Sequence, residues 1–428
     1  MSGASTVRFP EQLDGLVSVL DLVRAGSAST RTELVQASGL GRNIVADRVD
    51  HLLDSGLLAE GPPGVSTGGR AARRLSFVAD AGRVLVAVLG ATTIRVALAD
   101  LLGNIQQQRL VYADLTDGPE LTLAKVDRLF DEVLAGNSIE LWGIGISLPG
   151  PVEFATGRPV APPIMPGWDG HDIRRHFATA RGIPVWVDND VNVMMLGEIR
   201  KGRAVGQQDA VFIKVGSGIG AGLVSRGLLH RGAQGCAGDI GHINAVTDST
   251  VICRCGNVGC LEALAGGIAI TRDAAAAARE GRSGPLAAVL AAEGELRPAD
   301  VIRAARSGDQ VSIGLLSYSA HLVGESVARI VNLFNPSLIL IGGQVTANND
   351  VYLANVRRAV LGRSLPLATR SLEITTSALG EMSGLTGAVY MVVDELLSRA
   401  MLARWIDTHP RELVGQQLQP GHLANPVD

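Results

Sequence analysis

The chain has 428 residues, 46% of them hydrophobic and 19% charged. That excludes global disorder, and at about 150 residues per folded unit it leaves room for two or three units. Charge is 38 basic against 42 acidic side chains, net −4, so the chain as a whole does not advertise nucleic-acid binding. All but Lys125, Lys201 and Lys214 of the basic residues are arginine, and aromatics make up only 4%, which predicts an aliphatic core. Four cysteines are too few for a disulfide scaffold in a chain this long. The first residues carry no apolar run after their charge, and no apolar stretch approaches the ~18 residues of a membrane span. A soluble cytoplasmic protein with no membrane partner is the expectation.

Leu13, Leu16, Val17, Leu20 and Val23 follow helical spacing. Thr30-Arg-Thr-Glu33 reads as a capping box that opens a second helix, broken at Gly39. A third helix starts near Arg42, carries Ile44, Val45, Val49, Leu52 and Leu53 on its apolar face, and ends at Gly56. Leu57-Leu58 and Arg74–Val78 are candidate strands around a Gly- and Pro-rich segment. Three helices and a hairpin over residues 10–80 predict a winged helix-turn-helix with its third helix in the major groove of operator DNA. Arg42, Asn43, Arg48 and His51 point away from the apolar stripe, and Arg70, Arg73 and Arg74 fall on or beside the wing, within reach of phosphate or minor groove. Eight Arg against nine acids in the first 80 residues keep a second reading open, a protein–protein module with a solvated charged face. The Thr67-Gly-Gly-Arg70 wing resembles that of bacterial sugar-responsive repressors.

From Arg83 the pattern alternates strands, helices and Gly-rich turns, an α/β body over 83–405. Val84–Val88 and Ile94–Ala99 flank Gly90-Ala-Thr-Thr93, and Val211–Val215 and Leu223–Val224 flank Gly216–Gly222. Two such hairpins predict two similar lobes facing a cleft, with the split near 190–195. Residues 411–428 read as a polar, mobile tail.

His242 followed by Cys253-Arg-Cys255-Gly-Asn-Val-Gly-Cys260 is the most specific signal in the chain. One imidazole and three thiolates suit a closed tetrahedral zinc site, structural rather than catalytic. The alternative is a group of free thiols, and Cys236 outside the block is expected to be a buried thiol. Gly216–Gly222 is either a phosphate-cradling loop or a tight hairpin. A returning strand, not a helix, follows it, which argues against a dinucleotide site. Asn189-Asp190 lies at a strand end, where a carboxylate can take a proton from a hydroxyl, or where Asn and Asp simply make a turn.

Taken in order, these pieces resemble the ROK family (repressors, open reading frames and sugar kinases) in its repressor branch, over residues 10–400. The resemblance implies an actin-like ATPase-type body with two α/β lobes around a sugar cleft. It implies zinc on His242, Cys253, Cys255 and Cys260, and sugar contacts from Asn189, Asp190, Asp239, His242 and Glu262. Asp190 maps to the catalytic base of the kinases. Gly90, Thr92, Gly216, Gly218 and Gly220 map to their phosphate loops. By itself Glu262 is also an ordinary acid at a helix N-terminus.

The departures point away from catalysis. The kinases' Asp-x-Gly-x-Thr has become Val88-Leu-Gly90-Ala-Thr92, and Val88 can bind no Mg²⁺. Losing one electrostatic element of an active site costs about 10²–10³ in rate. Glu-x-Gly-His has become Asp239-Ile-Gly-His242, one methylene shorter, and Ile164–Trp168 lacks the Asn of many family kinases. The expectation is a sugar-responsive transcriptional regulator, dimeric or tetrameric, that binds operator DNA and a sugar or sugar phosphate. The alternative is an ATP- and Mg-dependent sugar kinase, acting on a hexose or N-acetylhexosamine, that retains a DNA-binding head.

Overall fold

The computed structural model describes residues 10–63, 73–136, 140–347 and 349–417. The head begins with α1 (Pro10–Arg24), α2 (Arg31–Ser38) and α3 (Arg42–Asp54). Thr30 caps α2 and Glu33 reaches back to its backbone, the reciprocal pair that satisfies two free amides at once. Strands β1 (Leu58–Pro63) and β2 (Arg73–Phe77) pair antiparallel behind α3. The wing tip with Arg70 lies outside the described residues. Two expectations for α3 need correction. Ile44 is 45% exposed rather than part of the apolar face, because Val45, Val49 and Leu52 already fill the contact with α1 and β1. The Arg48 side chain is only 13% exposed, because it lies against Gly15 of α1.

The body opens with β3 (Arg83–Leu89), β4 (Thr93–Asp100) and β5 (Ile105–Tyr112), then α4 (Pro119–Leu134) and β6 (Leu141–Leu148). After a small β7–β8 ladder (Val152–Glu153, Arg158–Pro159) come α5 (Ile173–Arg181), β9 (Val185–Asn189) and α6 (Asp190–Lys201). The second half has β10 (Ala210–Val215), β11 (Ile219–Ser225) and β12 (Leu228–His230). Helices α7 (Leu261–Ala265), α8 (Gly267–Arg279), α9 (Gly284–Glu293), α10 (Pro298–Arg306) and α11 (Gln310–Phe334) follow, then β13 (Leu338–Gly342), α12 (Asp350–Arg363), α13 (Pro366–Thr369) and β14 (Glu373–Thr376). The last described elements are α14 (Met382–Leu396), α15 (Arg399–Trp405) and α16 (Leu413–Gln417).

The two five-stranded sheets repeat one topology, β5-β4-β3-β6-β9 and β12-β11-β10-β13-β14. In each, two antiparallel pairings lead to a central strand, and two parallel pairings in series (β3–β6–β9 and β10–β13–β14) complete the sheet. The predicted split near 190–195 is only half of the division. Helix α14 returns to the first sheet and packs on β3 and β6, and against α6. It is almost wholly buried, so an apolar helix with no other surface to cover has to come back to that sheet. At the crossing the two backbones touch: a Cβ on Gly197 would lie 2.3 Å from the Ser383 carbonyl oxygen, and one on Gly387 would lie 1.7 Å from that of Val193.

One continuous core runs from Leu16, Leu20 and Leu52 of the head through Trp142 and Trp186 to Val392, Leu402 and Leu413. The head is therefore packed onto the first lobe and the C-terminal helices. Residues 411–417 are not loose either: Leu413 is buried and the Gln417 side chain accepts from the Val185 N–H at 2.9 Å. Their local polarity hides two apolar contacts, Leu413 and Val414; residues 418–428 lie outside the described residues.

Candidate functional site

The turns β3–β4 and β10–β11 bring their glycines to the same end of the two sheets as the C-terminal ends of β6 and β9. Between them lies a cleft, open to solvent and lined from both lobes. Asn189, Asp190, Gly218, Gly220, Asp239, His242 and Glu262 all line it, so residues up to 73 positions apart in the chain converge. At the first turn the lining residue is Ala91, between Gly90 and the exposed Thr92. Gly216 closes the second turn by donating its N–H to the Gly218 carbonyl at 2.9 Å.

Asn189 ends β9 and caps α6, accepting from the Val191 N–H at 2.9 Å and donating to the Gly150 carbonyl at 2.7 Å. Asp190, 6% exposed, is ion-paired with Lys214 on β10. Lys214 also lines the cleft, and sequence reasoning missed it because the pair is 24 positions apart in the chain. Behind them Asp188 is buried and bonded to Arg231 at 2.8 Å and to Asn192 at 3.0 Å, and the Arg231 guanidinium stacks on Phe154. Cys236, expected to be buried, is exposed and lines the cleft, because the loop around Gly235 runs along the cleft rim.

Glu262 sits in the first turn of α7 and accepts from the Ile219 N–H at 3.0 Å. Its carboxylate fills the space where a Cβ on residue 218 would stand, 2.1 Å from Oε2, so any larger residue there has to displace the Glu262 carboxylate. Burial pushes the Glu262 carboxyl up, against the pull of that N–H. Burial likewise raises Asp239, with His242 opposing it. One oxygen of Glu262 is thus held by a backbone donor in a side chain that lines the cleft.

His242, Cys253, Cys255 and Cys260 bring one ligand atom each within 4.8 Å of one another. His242 Nδ1 is 3.6 Å from Cys253 Sγ, and Cys255 and Cys260 Sγ are 3.8 Å apart. Sulfurs bound tetrahedrally at about 2.3 Å stand about 3.8 Å apart, so the donor set fits zinc. Local folding makes this arrangement: the Cys253 N–H donates to the Asn257 carbonyl at 2.7 Å, and Cys260 is the N-cap of α7. Without a metal, burial pushes the Cys260 thiol up to about 12. His242 turns Nδ1 to the thiols and Nε2 towards Asp239, 3.9 Å away, so one ring faces both the metal donors and the cleft.

At the head, Arg42 and Asn43 are exposed at the start of α3, whereas Arg48 is tied to Asp47 and His51 to Asp407. Arg31 is held by Asp50 and Glu60, and Arg73 by Glu60. Among the described residues no helix is long and apolar enough to cross a membrane.

The profile of the ROK family matches residues 86–395. A glucokinase of Halalkalibacterium halodurans is 31% identical over 307 residues, 71% of this chain and 93% of its own length. A xylose repressor of Caldicellulosiruptor bescii is 28% identical over 389 residues, 89% of this chain and 95% of its own. The fold is similar to the crystal structure of a ROK family transcriptional regulator described as a homologue of the E. coli MLC protein. That likeness has a TM-score of 0.77 at 24% identity and covers 95% of this chain and 98% of the other. A ROK family glucokinase from Streptomyces griseus, solved with glucose and AMPPNP, matches at TM-score 0.64 and 26% identity over 72% and 99% of the chains.

Proposed function

The chain belongs to the ROK family, and from that premise we propose that it is a sugar-responsive, DNA-binding transcriptional regulator without kinase activity. The observation that carries this reading is the length of the likeness to the xylose repressor. Residues 86–428 are about 80% of the chain, so a match over 89% has to include part of the head. The glucokinase likeness, at 71%, needs only the body.

In this reading Arg42 and Asn43 reach base edges in the major groove, with Arg70 at the wing on phosphate or minor groove. Arg48, packed against α1, is not part of that surface. Asn189, Asp190, Asp239, His242 and Glu262 take the hydroxyls of a sugar. Zinc on His242, Cys253, Cys255 and Cys260 is structural; when bound it fixes the loop that aims His242 and, two residues beyond Cys260, Glu262. Two recognition helices need a spacing of about one DNA turn, which calls for a homodimer or homotetramer. A 100-fold change in operator affinity on sugar binding takes about 2.8 kcal/mol of coupling between the sites.

The kinase reading is favoured by Asp190 in a cleft lined from both glycine turns and by the glucokinase likeness. Against it, Val88 stands where the kinases have their metal-binding Asp and lies by Gly384 of α14. Lys214 also occupies the carboxylate that would act as base. Fluorescence anisotropy with the promoter region upstream of the protein's own reading frame, at low salt, tests the regulator. The probes are D-glucose, D-xylose and N-acetylglucosamine. Absence of binding under every condition sinks it. A coupled ADP-release assay over the same sugars, with Asp190→Asn as control, decides the kinase.

A further inference from the structure

Helix α6 begins at the cleft and ends beside Asp394 of α14, which also contacts the head. Its twelve residues span about 18 Å. At the cleft end are the Asn189 cap and the Asp190–Lys214 pair. At the far end Arg200 Nε donates to Asp394 Oδ2 of α14 at 2.8 Å. The other oxygen of the same carboxylate accepts from both terminal nitrogens of Arg24, the last residue of α1, at 3.3 Å. Arg24 is 12% and Asp394 20% exposed, whereas Arg200, at 45%, lies on the solvent side of the contact.

Tyr390, one turn earlier on α14, completes the junction. Arg24 lies over its ring at 5.9 Å and Lys201 of α6 at 5.7 Å, and its hydroxyl donates to the Leu102 carbonyl at 2.9 Å. Asp21 of α1 shares this surrounding: burial pushes its carboxyl up, while Arg24 and Arg200 pull it down. One turn of α14 therefore gathers the last turn of the first head helix and the last turn of the cleft helix.

We propose that Asp394, supported by Tyr390, is a relay that couples the ligand cleft to the head through α6. This rests on the functional reading above, in which the cleft holds the effector and the head binds DNA. α6 and α14 touch backbone to backbone at Gly197 and Gly387, so α6 cannot bow into α14 and a push at Asp190 drives it along its own axis past α14. Such a push is transmitted along the helix and shifts Arg200. One carboxylate then redistributes between Arg200 and Arg24. The head's ion pairs with the C-terminal segment, Asp14–Arg399 and His51–Asp407, do not involve α6.

Amide hydrogen exchange of the full-length protein tests the relay without sugar or DNA. Asp190→Asn weakens the cleft end of α6 and is expected to speed exchange of residues 17–24 about fivefold, within the range for residues joined by a contiguous network. In an Asp394→Asn background, and separately in an Arg200→Gln background, the same change is expected to add no further acceleration. Unchanged exchange in 17–24 after Asp190→Asn, or an equal increment in both backgrounds, overturns the relay. Arg200 is 45% exposed, so its variant keeps the relay testable even where Asp394→Asn folds poorly. Operator and sugar binding by the unaltered protein are measured alongside; their absence counts against the functional reading and leaves the exchange result to judge the relay.

Discussion

Replacing Gly197 by Ala places a methyl group 2.3 Å from the Ser383 carbonyl oxygen and 3.2 Å from the Gly387 nitrogen. Ordinary contact needs more than 3.4 Å, so α6 and α14 have to separate by about 1 Å. Both obstacles are backbone atoms of a buried helix, which cannot swing aside as a side-chain tip does. Opening a packed interface in this way costs about 1–3 kcal/mol or more. Against that, Gly→Ala inside a helix gains about 1 kcal/mol in propensity. The interface term wins, and a net loss of about 2 kcal/mol is expected. Gly314→Ala in α11, where a Cβ meets nothing within 4 Å, isolates the propensity term. It is expected to gain about 0.5–1 kcal/mol. Urea unfolding of the two variants and the unaltered protein, read as transition midpoints, makes the comparison. If Gly197→Ala gains stability as Gly314→Ala does, the helices are not in backbone contact and the reasoning fails.

Metal analysis of freshly purified protein is expected to give one zinc per chain. Cys255→Ser is expected to lose that zinc and to unfold at lower temperature, since structural zinc sites contribute about 10 kcal/mol or more to ordering their loops; a metal-free but equally stable protein refutes the assignment. Arg42→Ala is expected to weaken operator binding by about 1–3 kcal/mol, as for an arginine on a base edge. Arg48→Ala should change operator affinity little and stability more, and the reverse pattern would mean that Arg48 leaves α1 to meet DNA. Glu262→Gln keeps the shape of the cleft but weakens its hydroxyl acceptor. Sugar affinity measured by calorimetry should fall at least about tenfold, in line with a charge-assisted hydrogen bond of about 1.5–3 kcal/mol. Unchanged affinity places the ligand elsewhere.

Much of this protein follows from local spacing. The Thr30–Glu33 capping box, the apolar rows of α1 and the two glycine hairpins are set by residues within a few positions of one another, and they occur where the spacing predicts them. The cluster that fits a metal ion is equally legible, because His242 and three cysteines lie within 19 residues and need only one tight turn to meet. The duplicated sheet order follows from two hairpins of similar pattern.

Tertiary structure decided what local spacing leaves open. Ile44 and Val45 are neighbours of equal hydrophobicity, yet only Val45 is buried, because α3 can turn just one face to α1 and β1. Arg48 is folded into the head by Gly15, and Cys236 is exposed by the path of a loop. The return of α14 across the first sheet, and with it the meeting of Arg24, Arg200 and Asp394, joins positions up to 370 residues apart. The Asp190–Lys214 pair also arises only when α6 is laid across β10. Periodicity and motif encode what a residue's near neighbours demand. Which distant surface covers a helix, and which charge ends beside a carboxylate, is settled when the elements compete for the same buried space.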